Sequence, residues 1–540
     1  MKTSCQRPPS IPIILATILF SISSANSKQV NLHMFFQCLS NNSSPFHQVS
    51  QTIYTPNNAS FLSVLNSYIK NRRFLTSTTP KPLAIIAAKH ISHIQATVIC
   101  AQRYGLEIRI RSGGHDSEGL SYVSNNPFLV LDMFNFRALL IDIASETARV
   151  QAGATLGEVY YRISEKSKVH AFPAGVCPTV GTGGHFSGGG YGNLMRKYGL
   201  SVDNIIDAQI VTVNGSILDR KSMGEDVFWA IRGGGGASFG VIISWTIKLV
   251  RVPSIVTVFH ITRTLEQNAT DVVYRWQEVA HNLPKELFIR AILQAVDGSQ
   301  EGKKTMQLVH FFGQFLGKSE SLLPLMNVRF PELGLQQHDC KEMTWIESTL
   351  FWALFPTGTP TASLLVRPSK VNATSFITKS DYVKEPIPKT GLESIWKVLI
   401  KIGRNGWIQL NPYGGRMSEI SASETPFPHR AGNIFKIEYY VEWVEEGTEA
   451  TNHYRNLART LYKVMRPYVS NSPREAFLNY RDLDIGITSS RHNRTILIKS
   501  ARVYGCKYFK GNLDRLMRAK ASIDPSNFFK NEQSIPPAGH

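Results

Sequence analysis

Two glycine-rich stretches govern the reading of this chain: Arg111-Ser112-Gly113-Gly114-His115-Asp116, and Phe172-Pro173-Ala174-Gly175-Val176-Cys177-Pro178-Thr179-Val180-Gly181. Each sets one nucleophile, His115 or Cys177, in a loop with little side-chain bulk. Glycine lets backbone approach a phosphate or a flat ring closely, and successive backbone N–H groups cradle an anion. Imidazole and thiol are well suited to a stable covalent bond with an electrophilic ring carbon. The pair points to a ring-bearing cofactor tethered to the protein. Neither loop has the strand, G-x-G-x-x-G and helix context of a dinucleotide fingerprint, which argues against a Rossmann unit.

Around these loops, from residue 82 to 250, strand and helix patterns alternate. Apolar residues 83–88 precede a helical stretch at 91–104, and strands follow at 106–110, 128–132 and 148–152. Thr155 with Glu158 three residues later is a capping box that starts a helix running through Tyr161. Val211-Thr212-Val213-Asn214-Gly215-Ser216-Ile217-Leu218 reads as a hairpin with an Asn-Gly turn. Past Arg251-Val252-Pro253-Ser254 the pattern shifts to alternating hydrophobics at 256–261, 288–295 and 307–312, with helical stretches such as 271–282 between them. A sheet covered by helices suits a substrate lid over a cofactor.

At 540 residues the chain has room for two or three packed units, and 43% hydrophobic with 18% charged residues is ordinary for a globular protein. Lys2 and Arg7, an apolar run at 11–20 and small residues at Ser23, Ser24 and Ala25 form the layout of a secretory signal peptide over 1–25. The run is too short to span a bilayer and nothing longer follows, so no membrane span is expected. Glycosylation sequons at Asn41, Asn42, Asn58, Asn214, Asn268, Asn372 and Asn493 agree with export, Asn214 least because of its tight turn. Of six cysteines, Cys5 leaves with the signal peptide, and an oxidising compartment favours pairing among the others. The net charge of +19 is spread without a basic run of five or a nucleic-acid motif, so no nucleic-acid partner is expected. His115, Asp116 and His185 lack metal-site spacing, and no metal is expected.

Further blocks extend the pattern: Gly184-His185-Phe186-Ser187-Gly188-Gly189-Gly190-Tyr191-Gly192-Asn193, Phe228-Trp229-Ala230-Ile231-Arg232-Gly233-Gly234-Gly235-Gly236, Asn479-Tyr480-Arg481-Asp482-Leu483-Asp484, and Asp524-Pro525-Ser526-Asn527-Phe528-Phe529. With them the chain, from Phe36 to about Pro537, resembles the plant berberine bridge enzyme-like flavin oxidases. These are a branch of the vanillyl-alcohol oxidase flavoprotein family that includes the cannabinoid synthases. The resemblance implies an α+β fold, with a vanillyl-alcohol oxidase type FAD-binding domain over 78–252 and a leading segment at 30–77. A sheet-and-helix substrate domain over 253–472 follows, and a segment at 473–537 returns to the FAD domain.

It also implies bicovalent FAD, with His115 bonded to the flavin 8-methyl carbon and Cys177 to ring carbon 6. Both bonds withdraw electron density and raise the flavin potential. Arg111, Ser112, Gly113, Gly114 and Asp116 fall around the cofactor, and Gly184, His185, Gly188, Gly190, Asn193 and Asn479 are placed along it. For His185, direct contact and a supporting hydrogen bond are equally open. Val180 falls at an oxygen-gate position, which implies O₂ as acceptor. Cys38 and Cys100 match the family's N-terminal disulfide; Cys340 and Cys506 remain, as free thiols or as a bridge to each other.

Removing a hydride requires a base for the accompanying proton. Glu438, in Phe435-Lys436-Ile437-Glu438-Tyr439-Tyr440, falls where the alkaloid-oxidising founder of the family has a glutamate base. Alternation puts Lys436, Glu438 and Tyr440 on one strand face, so an exposed carboxylate is the competing reading. Tyr480 matches the phenol base of the cannabinoid synthases. Tyr191 and Arg290 match residues that activate a nearby tyrosine in alcohol-oxidising relatives, but Ser117 stands where those relatives carry that tyrosine. Tyr413, in Leu410-Asn411-Pro412-Tyr413-Gly414-Gly415, is a candidate substrate contact, with aromatic packing as its rival. The resulting expectation is a secreted oxidase, in the cell wall or vacuole, that passes a hydride from a small organic substrate to FAD and electrons to O₂, releasing H₂O₂. An alkaloid, phenolic, alcohol or sugar would serve. A redox-neutral FAD-dependent cyclase and a catalytically idle wall glycoprotein are the alternatives, and the positive charge would attract acidic cell-wall polysaccharide.

Overall fold

A computed structural model describes residues 32–296, 306–367, 374–488 and 493–539. The expected signal peptide at 1–25 and the sequon at Asn372 lie outside them. The first sheet contains β1 (Ile53–Tyr54), β2 (Ala84–Ala87), β3 (Glu107–Arg111) and β4 (Phe128–Asp132) in the order β1-β2-β4-β3. β4 is buried along its whole length between two parallel neighbours, which its run Phe-Leu-Val-Leu anticipates. Helix Ile91–Arg103 crosses from β2 to β3, and a Cys38–Cys100 disulfide fastens it to helix Leu32–Asn42, the expected pairing.

A second, antiparallel sheet contains β5 (Leu139–Asp142), β6 (Thr147–Gln151), β8 (Ile205–Val211), β9 (Ile217–Leu218) and β10 (Val241–Lys248), ordered β5-β6-β10-β8-β9. The short strand β7 (His170–Ala171) pairs with β11 (Val250–Arg251). Helix Leu156–Lys166 starts at the anticipated capping box of Thr155 and Glu158. The β8–β9 hairpin forms, but its turn is wider than a two-residue Asn-Gly turn. Residues 212–216 lie between the strands, the Gly215 N–H donates to the Thr212 carbonyl, and Gly215 takes φ +79°.

The third sheet contains β12 (Val256–Thr264), β13 (Leu287–Val296), β14 (Met306–Phe315), β15 (Cys340–Met343), β16 (Ser375–Val383), β17 (Gly406–Pro412) and β18 (Phe435–Trp443). Its order is β15-β12-β14-β13-β17-β18-β16, antiparallel throughout. Strand alternation divides its two faces. Ile437 and Tyr439 enter a core with Trp276, Leu399 and Leu461 from the helices Ala269–Val279, Lys389–Ile402 and Thr448–Val464. Lys436, Glu438 and Tyr440 point the other way, towards the first two sheets.

The chain then returns to the first two sheets through the helices Arg494–Phe509 and Leu513–Ile523. Asp524, from the Asp-Pro motif, receives the N–H groups of Phe528 and Phe529 and pairs with Lys520, both side chains fully buried. Lys520 also donates to the carbonyls of Ser238 and Phe529. Those hydrogen bonds let a charge pair exist without water. Cys340 is a free thiol, so the bridge to Cys506 does not form. No helix among the described residues is long and apolar enough to cross a membrane.

Candidate active site

A cavity of about 760 Å³ runs between the first two sheets and the inner face of the third. That is near the upper end of the usual range for small-molecule sites, about 300–1,000 Å³. Both glycine loops border it. The first leaves β3 immediately after Arg111, whose guanidinium is fully buried, 2.6 Å from Asp132 and bonded to the carbonyls of Val64 and Leu65. Arg111 therefore anchors the loop rather than facing the cavity. A Cβ on Gly113 would lie 2.3 Å from the Gly181 nitrogen, and one on Gly114, at φ +70°, would lie 1.6 Å from the Tyr68 carbonyl oxygen. Only glycine lets the first loop approach the backbone of the second loop and of Tyr68 this closely. The second loop is pinned by Leu156 N–H to Val180 O and Gly157 N–H to Pro178 O.

His115 and Cys177 both line the cavity, with Thr179 between them: its hydroxyl is 2.9 Å from His115 Nε2 and 3.6 Å from Cys177 Sγ. Burial, aided by the charge of Lys70, pushes the His115 pKa down to about 3, so the imidazole is neutral and retains a lone pair. Burial likewise pushes His185 to about 3. His185 Nε2 accepts the Gly175 N–H at 3.0 Å and its carbonyl accepts from Asn479 Nδ2 at 2.9 Å, so it clamps the Cys177 loop while also bordering the cavity. Ser112, Asp116, Val180, Gly184 and Asn479 line the cavity as well. Gly188, Gly190 and Asn193 do not. Gly188 and Gly190 leave room for the Asn479 and Ser201 side chains, and Asn193 Nδ2 donates to Gln314 Oε1 at 2.7 Å.

On the inner face of the third sheet, strand register places Gln409 opposite Glu438. Gln409 Nε2 donates to Glu438 Oε2 at 3.1 Å and to the Tyr191 hydroxyl at 3.0 Å. The Tyr480 hydroxyl makes a short contact with the Tyr191 hydroxyl and also bonds the Glu438 carboxylate. Arg290 lines the cavity beside them, held by Nε to Asn411 Oδ1 at 2.8 Å. Lys436 is buried and makes no hydrogen bond among the described residues, its Nζ 3.1 Å from the Tyr191 ring centroid and 4.4 Å from that of Tyr480. Burial raises the Glu438 pKa and Lys436 partly offsets this, while burial takes Lys436 well below its ordinary value. Both phenols are raised by burial and then by the Glu438 charge. The carboxylate is therefore the acidic partner of the cluster and the tyrosines keep their protons.

Tyr413 is 1% exposed, packs edge-on against Tyr382 and does not line the cavity. Ser117, in place of the relatives' tyrosine, donates to the Arg481 carbonyl at 3.0 Å. Nothing in the sequence pattern singles out Gln409 or Thr179; the first becomes visible only through cross-strand register.

The cavity suits FAD. Among the described residues the N–H groups of Gly113, Gly114, His115 and Asp116 donate to no protein acceptor, which leaves a row of donors for a pyrophosphate. A Cβ on Gly184 would meet nothing within 4 Å, so backbone there borders open space.

Comparison with known proteins agrees. Residues 82–220 match the family described as "FAD binding domain" and residues 476–536 the family described as "Berberine and berberine like". The chain belongs to the berberine bridge enzyme-like family of FAD-dependent oxidoreductases. Berberine bridge enzyme-like 7 of Arabidopsis thaliana is 54% identical over 529 residues, 98% of each chain. The structure of BBE-like #28 from Arabidopsis thaliana is 45% identical with a TM-score of 0.87, covering 94% of this chain and 99% of that one. Phl p 4, a grass pollen allergen with glucose dehydrogenase activity, is 42% identical with a TM-score of 0.87, covering 94% and 100%.

Proposed function

We propose that the protein is an exported oxidase carrying FAD bound through both His115 and Cys177, with Glu438, supported by Tyr480 and Tyr191, accepting the substrate proton. The observation that carries this reading is the union, in one cavity, of the two nucleophiles and the Glu438–Tyr480–Tyr191–Gln409 cluster. Bound FAD supplies a hydride acceptor. Glu438 takes a proton from a substrate hydroxyl or activated C–H, directly or through the Tyr480 hydroxyl, as the hydride leaves. Gln409 orients the carboxylate and Tyr191 together, and Arg290 adds positive charge beside developing alkoxide or phenolate.

Dioxygen is the proposed acceptor, with H₂O₂ as product. Val180 borders the cavity and presents only a small apolar side chain there. In the pollen allergen, an isoleucine-to-valine variant is described as a glucose oxidase and the wild type as a glucose dehydrogenase. Small alcohols, sugars, phenolics and alkaloids are the proposed substrate class. Export to wall or vacuole is supported by the Cys38–Cys100 disulfide and by the exposed positions of Asn41, Asn42, Asn58, Asn214, Asn268 and Asn493, the proposed glycan sites.

The test is anaerobic mixing of the flavoprotein with a panel of sugars, alcohols, phenolics and alkaloids, followed by admission of O₂ and a peroxide assay. Flavin bleaching and then peroxide is the expected result. Turnover without bleaching would replace the oxidase with redox-neutral chemistry, and neither response across the panel would indicate an idle pocket.

A further inference from the structure

We propose that Thr179 positions both attachments of the flavin, selecting Nδ1 of His115 as the attacking nitrogen and holding the Cys177 thiol for its ring carbon. This rests on the bicovalent linkage proposed above. The geometry is a bridge of one hydroxyl between two nucleophiles, 2.9 Å from Nε2 on one side and 3.6 Å from Sγ on the other. A hydroxyl has one proton to give and lone pairs to accept. When Thr179 donates to sulfur it must accept from nitrogen, so the imidazole carries its proton on Nε2 and its lone pair on Nδ1. The same contacts hold the ring and the thiol at a fixed separation, since Thr179 sits in a loop pinned on both sides of it by the Pro178 and Val180 carbonyls.

Each attachment balances with dioxygen as oxidant. At His115 a bond forms between Nδ1 and the ring methyl carbon, a methyl C–H bond breaks with loss of its proton, and the Nε2 proton leaves by way of the Thr179 hydroxyl. The electron pair passes to the isoalloxazine, and O₂ removes it as H₂O₂. At Cys177 an S–C bond forms, the thiol proton and the ring C–H proton are lost, and a second O₂ takes the second pair. One hydroxyl thus serves two oxidative bond formations separated on the ring.

Thr179→Val removes the hydroxyl at nearly constant shape, and Thr179→Ser retains it. Each variant and the wild type are denatured in acid, protein-bound flavin is separated from free flavin, and flavin peptides are mapped by mass, with the linkage nitrogen assigned by NMR. Wild type and Thr179→Ser should carry flavin at both residues through Nδ1. Thr179→Val should attach flavin roughly tenfold more slowly at one or both residues, the scale of one lost hydrogen bond, or form a mixture of Nδ1 and Nε2 linkages. Thr179→Ala serves where valine prevents folding. Wild-type attachment rate and linkage in a folded Thr179→Val or Thr179→Ala protein would overturn the role of Thr179 alone. Absence of attached flavin in the wild type would instead overturn the linkage reading beneath it.

Discussion

Replacing Glu438 with glutamine isolates proton abstraction from every other task of the cavity. The amide is nearly the size of the carboxylate, and its oxygen still accepts from Gln409 Nε2, now 3.1 Å away, while its NH₂ faces the Tyr480 hydroxyl. Substrate binding and the flavin spectrum should therefore change little, and the loss should fall on the rate of flavin reduction. A positioned general base contributes about 10²- to 10⁴-fold, which at about 1.4 kcal/mol per tenfold is roughly 3 to 5 kcal/mol. Stopped-flow bleaching under anaerobic conditions, with a substrate that bleaches the wild type, reads this directly. The pH profile adds a second signature. Because burial raises the Glu438 pKa, the deprotonated, active form is complete only above that raised value, and the rate should fall as pH drops through it, above the ordinary carboxylate range. Glu438→Gln should abolish that acid limb. A Glu438→Gln rate within about threefold of wild type, with the large loss in Tyr480→Phe instead, would refute the carboxylate base and assign proton transfer to the phenol.

Lys436→Met removes the positive charge that holds the Glu438 pKa down, so the acid limb of flavin reduction should move to higher pH; an unchanged limb would show that Lys436 is neutral in the working enzyme. Cys177→Ala should retain protein-bound flavin through His115 after denaturation, with a lower reduction potential; complete release of FAD would contradict the double attachment. Cys38→Ser opens a bridge across a sequence separation of 62, worth up to about 4 kcal/mol by loop entropy. Thermal unfolding followed by circular dichroism should show a lower midpoint, and an unchanged midpoint would mean that packing alone holds the leading helix.

The sequence carried the architecture where one local rule acts by itself. Period-2 alternation located β12 to β14 and the inward face of β18, and Thr155 with Glu158 fixed a helix start. It was less informative about residues whose work depends on partners distant in the chain. Gly188, Gly190 and Asn193 sit in a motif bordering the cavity but face away from it, because a glycine-rich run does not say which residue faces which way. Tyr413 follows Gln409 and Asn411 in strand phase, yet lies deeper, where Tyr382 closes over it. Gln409 carried no signal until strand pairing set it opposite Glu438. Alternation alone also left Glu438 as a possible surface carboxylate, since it gives two faces without saying what covers the second.

Glu438, Tyr191 and Tyr480 come from the lid sheet, the glycine block and the returning C-terminal segment, and the buried Lys520–Asp524 pair holds that segment down. The consequence is temporal. As the chain leaves the ribosome, the loops bearing His115 and Cys177 emerge first, while the Tyr480 phenol follows only after every strand of the third sheet has been made. A nascent or truncated chain can therefore present His115 and Cys177 before Glu438, Tyr191 and Tyr480 have been brought together.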